Sequence, residues 1–250
     1  CGARLTIYSL LIPAFFAPRW RGPVMWLIYL IGILLAVICA KLLRLTVFQG
    51  ETTPFVMELP PYRMPTPKSV LIHMWQRGWM FLRKAGTVIL GISIVLWVLA
   101  SFPKSDAQQL AGLDKEQAQQ VALEHSVIGR VGRFVEPAIK PLGFDWRIGT
   151  ALIGAVAAKE VFVSQLSIVY AAGSEDGADV LRERLRTHYT PLVGFCIMLF
   201  SLIATPCMAT VAMTRHETNS WRWAAFQFIG LTVLAYLITL MVFQVGRFLA

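Results

Sequence analysis

Five stretches of this chain run for roughly the length of a bilayer crossing with almost no charge, and that pattern restricts the fold more than any single motif. A membrane-spanning helix needs about 20 apolar residues, with a range of roughly 17–25. Residues 23–40, 85–102, 191–214 and 223–246 carry no Asp, Glu, Lys or Arg. Residues 148–172 are interrupted only by Lys159 and Glu160. A sixth run, 5–17, is too short to cross and reads as the end of a further span. Soluble helices seldom sustain such runs, because one face must meet water. Strands of a membrane barrel would alternate apolar and polar residues, whereas these runs are apolar all round. The expected fold is therefore all-α, a polytopic transmembrane helix bundle with interfacial amphipathic helices. Each helix satisfies its own backbone hydrogen bonds, as hydrocarbon requires.

Composition agrees with that solvent. Apolar residues make up 56% of the chain and charged residues only 15%, against about a quarter charged in soluble domains. The net charge of +9 could indicate nucleic-acid binding, but the basic residues sit between apolar runs. They fit membrane topology, in which Lys and Arg gather in cytoplasmic connections, and no nucleic-acid partner is expected. The four cysteines, Cys1, Cys39, Cys196 and Cys207, form no CxxC or zinc-finger spacing. Cys39 and Cys196 read as small buried hydrophobes. The chain starts at Cys1 with neither Met nor a signal peptide, and is expected to be a piece of a longer protein.

The connections divide the chain further. Residues 45–84 form a basic link whose first half holds Pro54, Pro60, Pro61, Pro65 and Pro67. From Lys68 onward the link turns amphipathic, predicting an interfacial helix that leads into the span at 85–102. Residues 103–147 are balanced in charge and predict an external connection, with an amphipathic helix over 114–134 carrying Val121, Ile128 and Val131 on its apolar side. The basic excess at 41–84 places that connection in the cytoplasm, and with it 173–190 and the C-terminus. Residues 148–250 then hold three transmembrane helices.

Two segments carry chemistry. Ionisable residues inside a span cost at least ~2.5–3.5 kcal/mol and usually face a bundle interior or a water-filled path. Glu160 and Lys159 are such residues, and Ser164 and Gln165, one turn on, could extend the same polar stripe. Their alternative role is to neutralise neighbours within the bundle. The second segment is Thr205-Pro206-Cys207. Pro206 cannot donate a backbone hydrogen bond and kinks or breaks a helix. Transporters use such breaks to present carbonyl oxygens to ions. Cys207 would add a soft ligand for a transition metal, with Met208 as a thioether neighbour. A plain proline kink beside a buried cysteine is the competing reading. Cys1-Gly2-Ala3-Arg4-Leu5 matches Cys207-Met208-Ala209-Thr210-Val211 in outline, as sites in repeated halves of transporters do. No GxxxxGK[ST], HExxH or GxSxG motif occurs, so no catalytic residue is assigned.

Taken in order, several stretches resemble the C-terminal membrane region of the bacterial ferrous iron transport protein B family. They are Cys1-Gly-Ala-Arg-Leu-Thr-Ile-Tyr8, Phe55-Val-Met-Glu-Leu-Pro-Pro-Tyr-Arg-Met-Pro65, Glu136-Pro-Ala-Ile-Lys-Pro-Leu-Gly-Phe-Asp-Trp146, Ala158-Lys-Glu-Val161 and Thr205-Pro-Cys207. The family usually has Pro where Thr6 stands. The resemblance implies an Fe²⁺ importer of the inner membrane with two Gate regions. Residues 1–44 would hold the end of the first Gate and the helix after it, and residues 148–250 the second Gate. It carries the Gate cysteines over to Cys1 and Cys207 and the Gate acidic residue to Glu160, as metal ligands. It also implies an N-terminal GTP-binding domain outside this chain, with GTP and Mg²⁺ bound there. Small cytoplasmic accessory proteins, a homo-oligomer and the lipid bilayer are the further implied partners.

Ferrous iron suits such a site, since thiolate, carboxylate and carbonyl ligands can share it. Two other functions compete. One is a nucleoside or other small-solute carrier of the Gate type. The other is a non-transporting membrane anchor or assembly subunit, whose polar residues only hold helices together.

Overall fold

The computed structural model describes residues 2–47, 64–101, 126–157, 159–170, 177–204 and 207–249. Among them every regular element is a helix. The helices are α1 (Ala3–Phe15), α2 (Pro18–Thr46), α3 (Pro67–Ser101), α4 (Val127–Ile139), α5 (Trp146–Ala157), α6 (Lys159–Val169), α7 (Gly177–His188), α8 (Pro191–Ile203), α9 (Met208–Thr218) and α10 (Trp221–Leu249). A single 3-10 turn, Lys140–Leu142, follows α4. The chain divides into two compact units, Cys1–Ile28 with Val88–Ala250, and Tyr29–Thr87.

The smaller unit contains the second part of α2 and the first part of α3. Its α2 residues Ile33, Leu34, Val37, Ile38 and Leu42 are each more than half exposed, as expected of side chains meeting hydrocarbon. The interfacial helix expected from Lys68 and the span at 85–102 into which it leads form one helix, α3, which runs unbroken for 35 residues. The reason is local. Pro67 stands at the first helical position, where a missing N–H costs nothing, and no later proline interrupts the segment. At 1.5 Å per residue α3 is about 52 Å long, well beyond the hydrocarbon thickness.

In the larger unit α1 is central. It packs against α6, α7 and α8 and buries Ile7, Tyr8 and Leu11. The run 5–17, read as the end of a span, is α1 and the two residues after it, and α1 packs within this unit. Around it α4 packs on α5, α5 on α6, and α10 on both α8 and α9. Pro191–Thr218 and Trp221–Phe248 are long and apolar enough to cross a membrane, as is Pro18–Thr46. The first of these is sheathed in protein, with 62% of its apolar window buried, against 11% for Trp221–Phe248. On α10 the residues Ile229, Val233, Leu237, Met241 and Val245 recur every four positions and stay bare, marking a lipid-facing stripe.

Residues 148–172, read as one span, are two short antiparallel helices, which corrects the single-span expectation. Gly154 of α5 lies so close to α6 that a Cβ there would meet Gln165 Cγ at 3.0 Å and Val161 Cγ1 at 3.1 Å. In one straight helix residues 154 and 165 would be about 16 Å apart. The chain therefore reverses between α5 and α6, and glycine at 154 permits the close approach. Each arm, 12 and 11 residues long, reaches about 16–18 Å, short of a core of about 30 Å.

That reversal brings both ends of the hairpin to one end of the unit. The Tyr189 hydroxyl donates to Asp145 Oδ1 at 2.7 Å, and Gln244 Nε2 donates to the Pro141 carbonyl at 3.5 Å. The connections 103–147 and 173–190, expected on opposite sides of the membrane, therefore meet at their described ends. The helix expected over 114–134 is α4, starting at Val127, with residues before 126 outside those described. Ser126 caps it by accepting from Gly129 N at 3.2 Å. Gly132 of α4 lies against Trp146 and Thr150 of α5, which leaves Val131 and Phe134 exposed on the other side.

Candidate functional site

The polar centre forms where α8 stops. Its last residue is Ile203, and Ala204 leaves in extended backbone at φ −66°, ψ 156°. A helix end leaves four carbonyls without intrahelical partners. In hydrocarbon each unsatisfied group costs several kcal/mol. The Lys159 ammonium, at the start of α6, meets two of them. It donates to the Ala204 carbonyl at 3.0 Å and to the Ser201 carbonyl at 3.4 Å. Lys159 is 5% exposed and makes no ion pair with a carboxylate among the described residues. A positive charge at a helix C-terminus is favoured by the macrodipole, which accounts for a buried lysine at this depth.

Two further elements start beside this charge. Arg4 near the start of α1 and Cys207 ahead of α9 are the charged and ionisable groups that act on Lys159 electrostatically. Arg4 Nε is buried and has no hydrogen-bond partner among the described residues. Cys207 is half-buried at the N-cap of α9. Its Sγ lies 3.3 Å from Thr210 Oγ1, and its carbonyl accepts from Thr210 N at 2.8 Å. The two segments of similar outline, 1–5 and 207–211, thus both open helices near Lys159.

The other expected site residues are distributed unevenly. Glu160 and Ser164, four positions apart, share the exposed face of α6. Gln165 is on the buried face with Lys159, Phe162, Leu166 and Val169, and its Oε1 has no hydrogen-bond partner among the described residues. The stripe is therefore two faces, since 160 and 164 stack at helical spacing while 165 is rotated about 100° further. Met208 is exposed at the start of α9. Cys1, Thr205 and Pro206 lie outside the described residues. Among the described residues no three His, Cys, Asp or Glu side chains converge, and the oxygens that hold Lys159 are two carbonyls at the end of α8.

A second polar cluster stands at the open end of the hairpin. Tyr170 donates to the Tyr189 hydroxyl at 2.7 Å, and Tyr189 donates to Asp145. Asp145 Oδ1 also accepts from Ile148 N at 3.0 Å, capping α5. Burial, with Tyr170 and Asp145 close by, pushes the Tyr189 phenol above its ordinary value. It stays protonated and acts as a donor. Arg184 holds the Tyr170 carbonyl from α7. Sequence reasoning missed these partnerships. Asp145 directly before the first turn of α5 signals a cap, but nothing in the sequence pairs it with Tyr189.

The helices long and apolar enough to cross a membrane, together with a buried polar centre, define a membrane helix bundle. Residues 82–221 match the Gate family model, described as nucleoside recognition, and residues 25–77 match the model for the C terminus of ferrous iron transport protein B. A Porphyromonas gingivalis Fe(2+) transport protein A/Fe(2+) transporter FeoB fusion protein is 39% identical over 98% of this chain and 33% of its own length. The Fe(2+) transporter FeoB of Leptospira biflexa is 37% identical over 100% of this chain and 37% of its own. That of Helicobacter pylori strain J99 is 33% identical over 100% of this chain and 42% of its own. The chain thus spans between a third and somewhat over two fifths of the length of these relatives. No solved structure matches. The chain belongs to the ferrous iron transport protein B family, and its residues 82–221 are the family's Gate part.

Proposed function

We propose that this chain forms the membrane pathway of a ferrous iron transporter. The observation that carries the reading is the broken end of α8, which offers the Ser201 and Ala204 carbonyls beside Cys207 within a protein sheath. A conducting site must bind its ion well enough to admit it and loosely enough to release it. Backbone oxygens with one soft sulfur meet that requirement for a borderline ion such as Fe²⁺. Glu160, and Cys1 by family resemblance, would complete the ligand path as the helices rearrange. The relatives matched along the whole chain are named as iron transporters, which favours this over a nucleoside carrier.

GTP hydrolysis, with its GTP and Mg²⁺, would reside in a domain outside this chain, and the chain itself would act as the pore. The bacterial inner membrane is the expected site. The end of the larger unit that holds Lys140, Arg147, Arg182, Arg184, Arg186 and Arg247 is rich in basic residues, which by the positive-inside rule supports a cytoplasmic C-terminus. A small accessory protein is a natural partner, since one relative is named as a fusion with transport protein A.

Radioactive Fe²⁺ uptake by cells carrying the full-length protein tests the reading. Cys207→Ser and Glu160→Ala should each lower uptake at least tenfold with unchanged protein level. Wild-type uptake in both variants would remove these residues from the path.

A further inference from the structure

The Ser201 and Ala204 carbonyls are the oxygen ligands that a passing cation would need, and they are already taken. Their occupant is itself a cation on a flexible four-carbon stem: Lys159 Nζ, at 3.4 Å and 3.0 Å. An ammonium has three donors, and only these two protein oxygens receive them among the described residues. A lysine whose role was only to neutralise charge would be expected against a carboxylate. Here the neighbouring ionisable groups are Arg4 and Cys207, and Glu160, the adjacent carboxylate, points to the exposed face. Arg4 adds like charge and Cys207 acts in the ammonium's favour, but its hydrogen bonds among the described residues go only to the two carbonyl dipoles. An interaction of that kind is reversible by a competitor of higher charge.

We propose that Lys159 is a tethered cation that closes the pathway, holding the carbonyl oxygens of Ser201 and Ala204 until a divalent ion exchanges for its ammonium. Ion entry moves Nζ off the carbonyls, and ion departure lets it return. The two occupants cannot share the same oxygens, so the path is shut whenever it is empty. No bond is made or broken; a charge of +2 replaces the +1 of the ammonium at the same two carbonyls. This rests on the reading of the chain as an Fe²⁺ pathway and adds what holds that pathway closed at rest.

The test uses full-length protein in sealed lipid vesicles, with Fe²⁺ kept reduced by ascorbate and influx followed by a trapped chelator dye. Lys159→Gln, which removes the charge, should raise nucleotide-free influx at least tenfold over wild type. Influx at or below the wild-type leak in folded Lys159→Gln protein overturns the proposal. Should that variant fail to fold, Lys159→Arg decides. It keeps the charge and grips carbonyls through more donors. It should stay closed without nucleotide and raise the half-saturating Fe²⁺ concentration at least threefold, with maximal rate within twofold of wild type. An unchanged half-saturation overturns the proposal, because a merely structural cap would leave competition untouched. Absence of nucleotide-dependent influx in the wild type would instead defeat the transport reading itself.

Discussion

The Arg182 guanidinium of α7 donates to the Ser9 carbonyl of α1 at 3.3 Å. Ser9 is four residues before Pro13, which stands inside α1 and has no N–H to return. The arginine thus fills a vacancy in the helical ladder that the proline created. It does from outside what Lys159 does at the end of α8.

Arg182→Ala should therefore destabilise the bundle by about 1 kcal/mol, the net worth of one such hydrogen bond. Its ion pair with Asp179 is mostly exposed and adds little. In a Pro13→Ala background the ladder closes on itself, and the same change should cost less than about half as much. Thermal unfolding of the four purified proteins in detergent checks this cycle. Equal losses in both backgrounds would break the link between Arg182 and Pro13.

Tyr189→Phe removes the centre of the Tyr170–Tyr189–Asp145 chain and should cost about 1–3 kcal/mol, because two buried partners are left short. Its effect also depends on pH. Burial raises the Tyr189 phenol in the folded protein, so the folded state holds its proton longer than the unfolded state does. The resulting stability is complete below the ordinary tyrosine value of about 10 and is lost as pH rises from there towards the raised folded value. Melting curves between pH 8 and 11 should show wild type losing its advantage over the Phe variant above pH 10. A constant gap would contradict the assignment.

Gly132→Ala should cost about 1–3 kcal/mol by overpacking. The added Cβ would sit 2.5 Å from Thr150 Cγ2 and 3.1 Å from the Trp146 carbonyl. Thr150→Ser removes that methyl while keeping the hydroxyl bond to the Arg147 carbonyl. The double variant should recover part of the loss, read by detergent melting or by resistance to protease. No recovery would mean that the Trp146 carbonyl sets the limit.

Much of this fold was legible as hydropathy. The uncharged runs at 23–40 and 223–246 correspond to α2 and α10, whose sides meet lipid and so need to be apolar all round. Residues 148–172 are just as apolar for another reason, since the α5–α6 hairpin buries one side of each helix against protein. A count of apolar residues cannot separate the two. What turns the chain back is the bare backbone of Gly154 against Gln165, a contact between residues 11 apart that periodicity does not encode. The site was legible in parts. Lys159 stood out for its charge and Cys207 for its neighbour Pro206, but their meeting across more than 40 residues depends on how α6 lies beside α8. Arg4 and Ser9 gave no signal of their own.

The pairing of Lys159 with α8 also sets an order of events during synthesis. Its acceptors lie 42 and 45 residues later in the chain. At about 5–20 residues per second they are made roughly 2–9 s after the lysine. During that interval the ammonium has no carbonyls to hold, and settling it deep in hydrocarbon would cost at least ~2.5–3.5 kcal/mol. The α5–α6 hairpin can take its final depth only once α8 has arrived, so the polar centre waits on a helix made well after the lysine it holds.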